Sequence, residues 1–127
     1  MATETPLYQQ TCGPCREGAP RLTPAQIRTL EPGVPEWKIL DVDGILRLRR
    51  AFLFEAVPAL VHFQAQVMEE ADAQGHHPNI IASPTRQGWK LLLDLWTHKI
   101  HGLHANDFIM AARFDMLARE GGTSDGP

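Results

Sequence analysis

The sequence predicts an α+β domain: a four-stranded antiparallel sheet with three helices on one face, in the order α-β-β-α-β-β-α. Two observations carry this prediction. Extended segments occur in two consecutive pairs, and Asp43-Gly44 inside the first pair is a strong signal for a two-residue hairpin turn. Segments with helical periodicity precede, separate and follow these pairs. Helices placed between antiparallel hairpins favour a layer of helices packed on a sheet.

Composition places the chain among ordinary globular domains. It has 127 residues, of which 43% are apolar and 21% charged, enough for one domain with its own core. The net charge of −3 and the lack of a basic stripe argue against a nucleic-acid-binding protein. No apolar run approaches the roughly 18 residues of a membrane helix. The N-terminus lacks the pattern of a secretion signal, so we expect a cytoplasmic protein.

Residues 1–20 are predicted to be a flexible N-terminal extension that contains the sequence CGPC, with thiols at Cys12 and Cys15. The spacing matches a thioredoxin motif, but that chemistry requires the first cysteine at a helix N-terminus after a strand. One C-x-x-C motif supplies two of the four ligands of a tetrahedral zinc site, so a zinc site would need a second chain. A solvent-exposed arm with incidental thiols is the favoured interpretation, and contact with a partner or metal is the alternative.

The first predicted elements after this extension are a short helix and a hairpin. Thr23 is a suitable N-cap and Pro24 a suitable first helical residue, while Pro32-Gly33 ends the helix. Strands are predicted at 37–42 and 45–54.

Pro58 opens a long helix that Gly75 ends. The remaining predicted elements are a strand at 79–82, a polar loop at 83–88, a strand at 89–97, a connector at 98–104 and a last helix at 105–119. The folded domain therefore spans 21–120, and 121–127 is predicted to be a disordered tail.

His76, His77, His98 and Asp107 form the candidate catalytic constellation. The adjacent histidines follow the end of the long helix, His98 follows the last strand, and Asp107 opens the last helix. Imidazole titrates near neutrality, which suits proton transfer in both directions. The alternative for the histidine pair is that it satisfies carbonyls at the helix end.

A zinc site at His98, His101 and His104 is a further alternative, but the extended connector supplies no helical face to bring these residues together. Exposed loop histidines are the favoured interpretation. We therefore predict no metal site.

From Arg21 to about Met116, the sequence resembles the pterin-4a-carbinolamine dehydratases. The matching residues are Arg21-Leu22-Thr23, Trp37, Asp72, His76-His77-Pro78, Thr97-His98, Gly102-Leu103 and Asn106-Asp107. The resemblance implies the α+β fold already predicted and a homodimer or a larger oligomer.

The family removes water from a 4a-hydroxytetrahydropterin to give a quinonoid dihydropterin. An acid protonates the leaving hydroxyl and a base takes a ring N–H proton, so the resemblance implies no cofactor. It also implies that His76, His77 and His98 line the pterin pocket, one as acid and another as base, and that Pro78 contributes to substrate binding. Asp107 would orient His98 or a pterin nitrogen, helped by the helix dipole.

Two departures from the family pattern predict weak or absent dehydratase activity. The family places an aromatic residue shortly after His-His-Pro, where this chain has Pro84 and Thr85, and the stretch from His76 to His98 is longer here. An insertion beside the pocket would reshape it, and small positioning errors cost much of an enzyme's rate.

The chain also resembles a branch of the family that is associated with α-carboxysomes and assists assembly or accumulation of Rubisco. This resemblance implies a carboxysome-associated protein whose partner is the Rubisco large subunit or holoenzyme. The uncovered face of the sheet would carry the contact, with Arg47 and Arg49 as candidate contributors. The assembly role is the favoured function, and the active dehydratase is the alternative.

Overall fold

The computed structural model describes residues 5–13 and 18–120. Within these ranges the α-helices are α1 (Pro24–Leu30), α2 (Val57–Gln74) and α3 (Ala105–Glu120), and the strands are β1 (Lys38–Val42), β2 (Ile45–Phe54), β3 (Asn79–Thr85) and β4 (Gly88–Leu95). Short 3-10 helices occur at Leu7–Gln9, Glu31–Gly33 and His98–Ile100. The predicted order of helices and strands is confirmed.

The strands form an antiparallel sheet in the order β1-β2-β4-β3. The first hairpin turns at Asp43 and Gly44, whose φ angles are 54° and 82°. Positive φ at both central residues matches the twist of the flanking strands, which is why Asp-Gly is favoured there. At the centre of the sheet β2 pairs with β4, from Leu48 opposite Leu95 to Phe54 opposite Trp89.

The second hairpin differs from its prediction. The segment 83–88 was expected to be a polar loop, but β3 continues to Thr85 and pairs with β4 across Arg86 and Gln87. Pro84 is compatible with this strand because β3 lies at the sheet edge, where a missing N–H costs no ladder hydrogen bond. Residues 83–85 therefore extend the hairpin.

Alternate residues of the central strands pack against α2 and α3 to form the core. Phe52 of β2 and Phe63 of α2 are both buried, with ring centroids 4.8 Å apart. Burial of such a side chain contributes roughly 1.5–3 kcal/mol. The other large buried side chains include Leu48, Leu91, Leu93, Leu95, Leu103, Phe108, Met110 and Phe114.

Arg50 lies in the same sequence run as Arg47 and Arg49, but its side chain faces the core. Arg50 is buried and pairs with Asp115 of α3, which also accepts a hydrogen bond of 2.8 Å from the indole nitrogen of Trp37. Burial raises the pKa of the Asp115 carboxyl, while the Trp37 and Arg50 donors lower it. Strand alternation explains the outcome, because Arg50 shares its face with Leu48 and Phe52.

Arg47 and Arg49 project from the other face of the sheet, which we call the open face. Both pair with Asp94 of β4, Arg49 through bonds of 2.6 and 2.7 Å and Arg47 at 3.5 Å. The pKa of Arg49 is raised, chiefly by its hydrogen bond to Asp94. Ile81 on the same face is 54% exposed.

The N-terminal segment 5–13, within the predicted flexible extension, lies against α3. Its Leu7–Gln9 helix contacts α3, and the guanidinium of Arg113 donates to the carbonyl of Gln10 at 2.8 Å. Cys15 and the predicted disordered tail at 121–127 lie outside the described residues. Among the helices that are described, none has the length and apolar character needed to cross a membrane.

Candidate active site

A cavity opens where the end of α2, the loop after β4, the start of α3 and the N-terminal segment meet. Its volume is about 580 Å³, within the range of small-molecule sites. The lining residues are Cys12, Gly13, Gln74, Gly75, His76, His77, Trp96, Thr97, His98, Lys99 and Asn106. The predicted histidines His76, His77 and His98 therefore share one cavity.

The termination of α2 places His76 and His77 at the cavity. Gly75 takes a left-handed conformation with a φ of 68°, and the backbone N–H of His76 returns to the carbonyl of Ala71 at 3.1 Å. Glycine is favoured here because other residues pay a steric penalty at this φ. The chain consequently leaves the helix axis at the two histidines.

His76 is held by the buried carboxylate of Asp107. Its Nε2 lies 2.6 Å from Asp107 Oδ1, and the two side chains are 13% and 0% exposed. A carboxylate oxygen accepts, so Nε2–H of His76 donates and Nδ1 remains as the nitrogen that can take up or release a proton. This is the arrangement of an imidazole oriented by an acid.

The other oxygen of Asp107 is fixed by its surroundings. Asp107 Oδ2 accepts from the Thr97 hydroxyl and from the backbone N–H of His104, both at 2.9 Å. Asp107 was predicted to orient His98 or a pterin nitrogen; it contacts His76 instead. It lies behind His76, since it is fully buried in the first turn of α3 and does not itself line the cavity.

His77 has a more exposed carboxylate partner. Its Nε2 lies 2.7 Å from Asp72 Oδ1, with the side chains 50% and 72% exposed. An exposed pair is screened by water and contributes little to stability. Asp72 therefore orients the His77 ring, and its own carboxylate remains exposed to solvent.

His98 stacks on Trp96 at the opposite wall. The ring centroids are 4.3 Å apart and the planes are inclined by 17°. The guanidinium of Arg47 lies 3.9 Å from the Trp96 centroid. Two groups this close cannot share one face of the indole, so His98 and Arg47 cover opposite faces.

The loop that carries His98 is anchored at both ends. Thr97 and Gly102 form a β-bridge, with the Thr97 N–H donating to the Gly102 carbonyl at 2.8 Å. Arg21 also donates to the Ile100 carbonyl at 2.7 Å. These bonds constrain the backbone around His98, although its side chain is exposed.

His104 has a structural role at the start of α3, where its Nδ1 accepts the backbone N–H of Asn106 at 3.1 Å. This is an N-terminal cap, made by an imidazole in place of the usual hydroxyl or carboxylate. Within the described ranges, no group of three or more His, Cys, Asp or Glu residues is arranged to hold a metal ion.

The other predicted site residues lie outside the cavity lining. Pro78 is buried behind His77, and Arg47 and Arg49 are on the open face of the sheet. The lining residues missed by the sequence analysis are Cys12, Gly13, Gln74, Gly75, Trp96, Thr97, Lys99 and Asn106. Trp96 could have been found from its place two residues before His98, whereas the approach of Cys12 depends on tertiary packing.

Cys12 is half-buried beside Asn106, and burial raises the pKa of its thiol to about 11. It is therefore a neutral thiol near pH 7 and a poor nucleophile, since the thiolate is the reactive form. The cavity thus combines three histidine side chains with a wall that includes a neutral thiol and an indole. Such a site can move protons at a bound ligand.

Comparison with known proteins agrees with this geometry. Residues 20–117 match the family model of pterin 4 alpha carbinolamine dehydratase. A Gloeobacter violaceus protein named for this dehydratase is 41% identical over 116 residues, covering 91% of this chain and 97% of that protein. A Marinobacter nauticus protein named for it is 44% identical over 112 residues, covering 87% and 96%.

A solved structure of a related protein has a similar fold. The crystal structure of a transcriptional coactivator/pterin dehydratase from Brucella melitensis aligns with a TM-score of 0.67 and 25% identity, over 78% of this chain and 99% of that one. The α+β fold predicted from the sequence is therefore confirmed. This chain belongs to the pterin-4a-carbinolamine dehydratase family.

Proposed function

We propose that this protein dehydrates a 4a-hydroxytetrahydropterin by histidine acid–base catalysis. The observation that carries the proposal is the His76–Asp107 pair at a cavity also lined by His77 and His98. A buried carboxylate behind an imidazole fixes the orientation and the tautomer of the ring. His76 is therefore the base in this proposal.

The reaction needs only proton transfers and one bond cleavage. His76 takes the proton from a ring nitrogen of the pterin, and a C=N bond forms as the C4a–O bond breaks. His77 or His98 donates a proton to the departing hydroxyl, which leaves as water. One proton is taken and one is given, so the step balances without an oxidant or reductant.

Two features of the chain support turnover despite the departures from the family pattern. Between His77 and Trp96 the chain forms the β3–β4 hairpin, and among the described lining residues none falls between these two. Trp96, directly after β4, supplies an aromatic wall to the cavity. On these grounds we propose turnover, where the departures from the family pattern led us to expect weak or absent activity.

The test is stopped-flow decay of a 4a-hydroxytetrahydropterin with purified protein. His76→Ala should lower kcat by about 10²–10⁴-fold, the usual contribution of general acid–base catalysis. Single alanine variants of His77 and His98 then identify the acid. His62→Ala, an exposed histidine on α2, is the control and should match the wild type. Wild-type decay no faster than that with the His76 variant would refute the proposal.

A second candidate function is the Rubisco assembly role, within an α-carboxysome, that the resemblance implies. What supports it is the open face, which carries the Arg47–Asp94–Arg49 cluster beside the exposed Ile81. Arginine is frequent among interface residues that dominate binding. A homodimer would present this face twice and raise the effective affinity for a symmetric oligomer.

Co-expression with Rubisco tests this second function. Holoenzyme yield should rise with the wild type and fall back with Ile81→Asp, while His76→Ala should still support assembly because His76 lies away from the open face. Equal yields with and without the protein, together with no co-purification of the large subunit, would remove the assembly role.

A further inference from the structure

The N-terminal segment is attached to the rim of the cavity by a set of directed hydrogen bonds. Asn106 and Gly13 form a reciprocal pair: the Gly13 N–H donates to the Asn106 side-chain oxygen at 3.0 Å, and the Asn106 amide donates to the Gly13 carbonyl at 2.7 Å. The Cys12 N–H donates to the side-chain oxygen of Gln74 at 2.9 Å. Side chains of α2 and α3 thus bind backbone groups of one short segment.

Arg113 provides a further attachment, farther from the cavity. Its Nε donates to the carbonyl of Gln10 at 2.8 Å, and its Nη1 pairs with Glu70 at 3.2 Å. Arg113 does not line the cavity. It can therefore be changed to loosen the segment without altering the cavity surface.

The attached segment forms part of the cavity wall. Cys12 and Gly13 line the cavity together with the catalytic candidate His76 and with Asn106. The Cys12 thiol is neutral near pH 7, as described above, so this wall offers contact surface and no reactive group. A ligand that fills the cavity next to His76 meets these residues.

We propose that Gln10–Gly13 is a substrate-contacting wall that sets the affinity of the cavity for the pterin, and that Gln74, Asn106 and Arg113 hold it in place. This inference rests on the proposed dehydratase function. The segment acts on binding and leaves the proton transfers to the histidines. Loosening it should therefore raise KM and leave kcat within about threefold, the pattern of a lost binding contact.

The first experiment measures binding of the unreactive pterin 7,8-dihydrobiopterin by calorimetry. Arg113→Gln and deletion of residues 1–13 should each weaken binding by about tenfold, the effect of losing roughly one good contact. Glu69→Gln, at an exposed carboxylate on α2, is the control and should bind as the wild type does. Arg119→Gln, at the exposed end of α3, is a second control.

The second experiment follows the segment itself without any pterin. In a Cys15→Ser background only Cys12 can react with iodoacetamide, because the chain has two cysteines. Arg113→Gln should speed this alkylation, and far-UV circular dichroism should show that the fold persists. Added 7,8-dihydrobiopterin should slow alkylation of the otherwise unaltered protein, since the ligand would cover the thiol.

The outcomes separate the two proposals. If the wild type binds the pterin, and both segment variants bind it equally well with unchanged KM, the wall inference is wrong and the dehydratase proposal stands. If the wild type neither binds nor turns over a pterin, the dehydratase proposal fails and the wall inference fails with it. Alkylation that Arg113→Gln leaves unchanged would show that the attachment does not hold Cys12.

Discussion

The imidazole of His98 stacks on the indole of Trp96, with ring centroids 4.3 Å apart. The other face of the indole is covered by Arg47, which belongs to the charged cluster on the open face of the sheet. One aromatic ring therefore separates a cavity residue from the sheet surface. This stack limits rotation of His98, whose side chain is otherwise exposed.

Replacement of Trp96 should impair catalysis because Trp96 positions the ring of His98. Trp96→Ala removes the stacking surface, so we expect kcat to fall on the order of a hundredfold, as small misplacements of reacting groups do. Trp96→Phe keeps an aromatic face and should retain most of the rate. Stopped-flow kinetics measure both, and the NMR signal of the His98 ring should broaden or move in the alanine variant alone. Equal rates in the two variants would contradict a positioning role.

Asp107→Asn should lower kcat by about 10²–10⁴-fold, the range of acid–base contributions, because the amide can donate to His76 and favour the wrong tautomer. The matched control is Asp72→Asn at the exposed partner of His77. Because that pair is exposed and screened by water, the control should lower kcat much less than Asp107→Asn does. A comparable loss in both variants would argue against a special role for the buried pair.

The rate of Cys12 alkylation should still rise at pH values where the rate for an ordinary thiol has levelled off. The thiol pKa is raised from 9.0 to about 11 by burial, so the thiolate fraction below pH 9 is reduced. At pH 8 the native Cys15→Ser chain should react about a hundredfold more slowly than the same chain in urea, the difference expected for a two-unit shift. A rate that levels off near pH 9 in the native chain would contradict this prediction.

Asp115→Ala should destabilise the fold by about 3–5 kcal/mol, because it removes a buried carboxylate that pairs with the buried Arg50. It also removes the acceptor of the Trp37 indole. Urea unfolding measures the change, and the exposed Arg119→Ala should stay within about 0.5 kcal/mol of the wild type.

The double variant Arg50→Met with Asp115→Leu separates charge burial from packing. It should recover the part of the lost stability that comes from burying an unbalanced charge, whereas the Trp37 indole still lacks its acceptor. A double variant as unstable as the single one would assign the loss to packing.

Local sequence signals predicted several features of the fold well. Asp43-Gly44 fixed the first hairpin, Thr23 caps α1, and Gly75 ends α2, because each depends on backbone conformations that few residues favour. The second hairpin was predicted less accurately. Pro84 resembles a loop residue unless the strand is known to lie at a sheet edge, and strand order is a tertiary property.

The sequence by itself determined which residue types were available: a histidine pair at a helix end, a histidine after a strand and an acid in the first turn of a helix. Only the tertiary structure decided their partners. Asp107 contacts His76 across 31 positions, and Cys12 reaches Asn106 across 94, because packing of α3 brings these segments together. Periodicity and capping report the conformation of neighbouring residues; such long-range contacts depend on how the helices and strands pack.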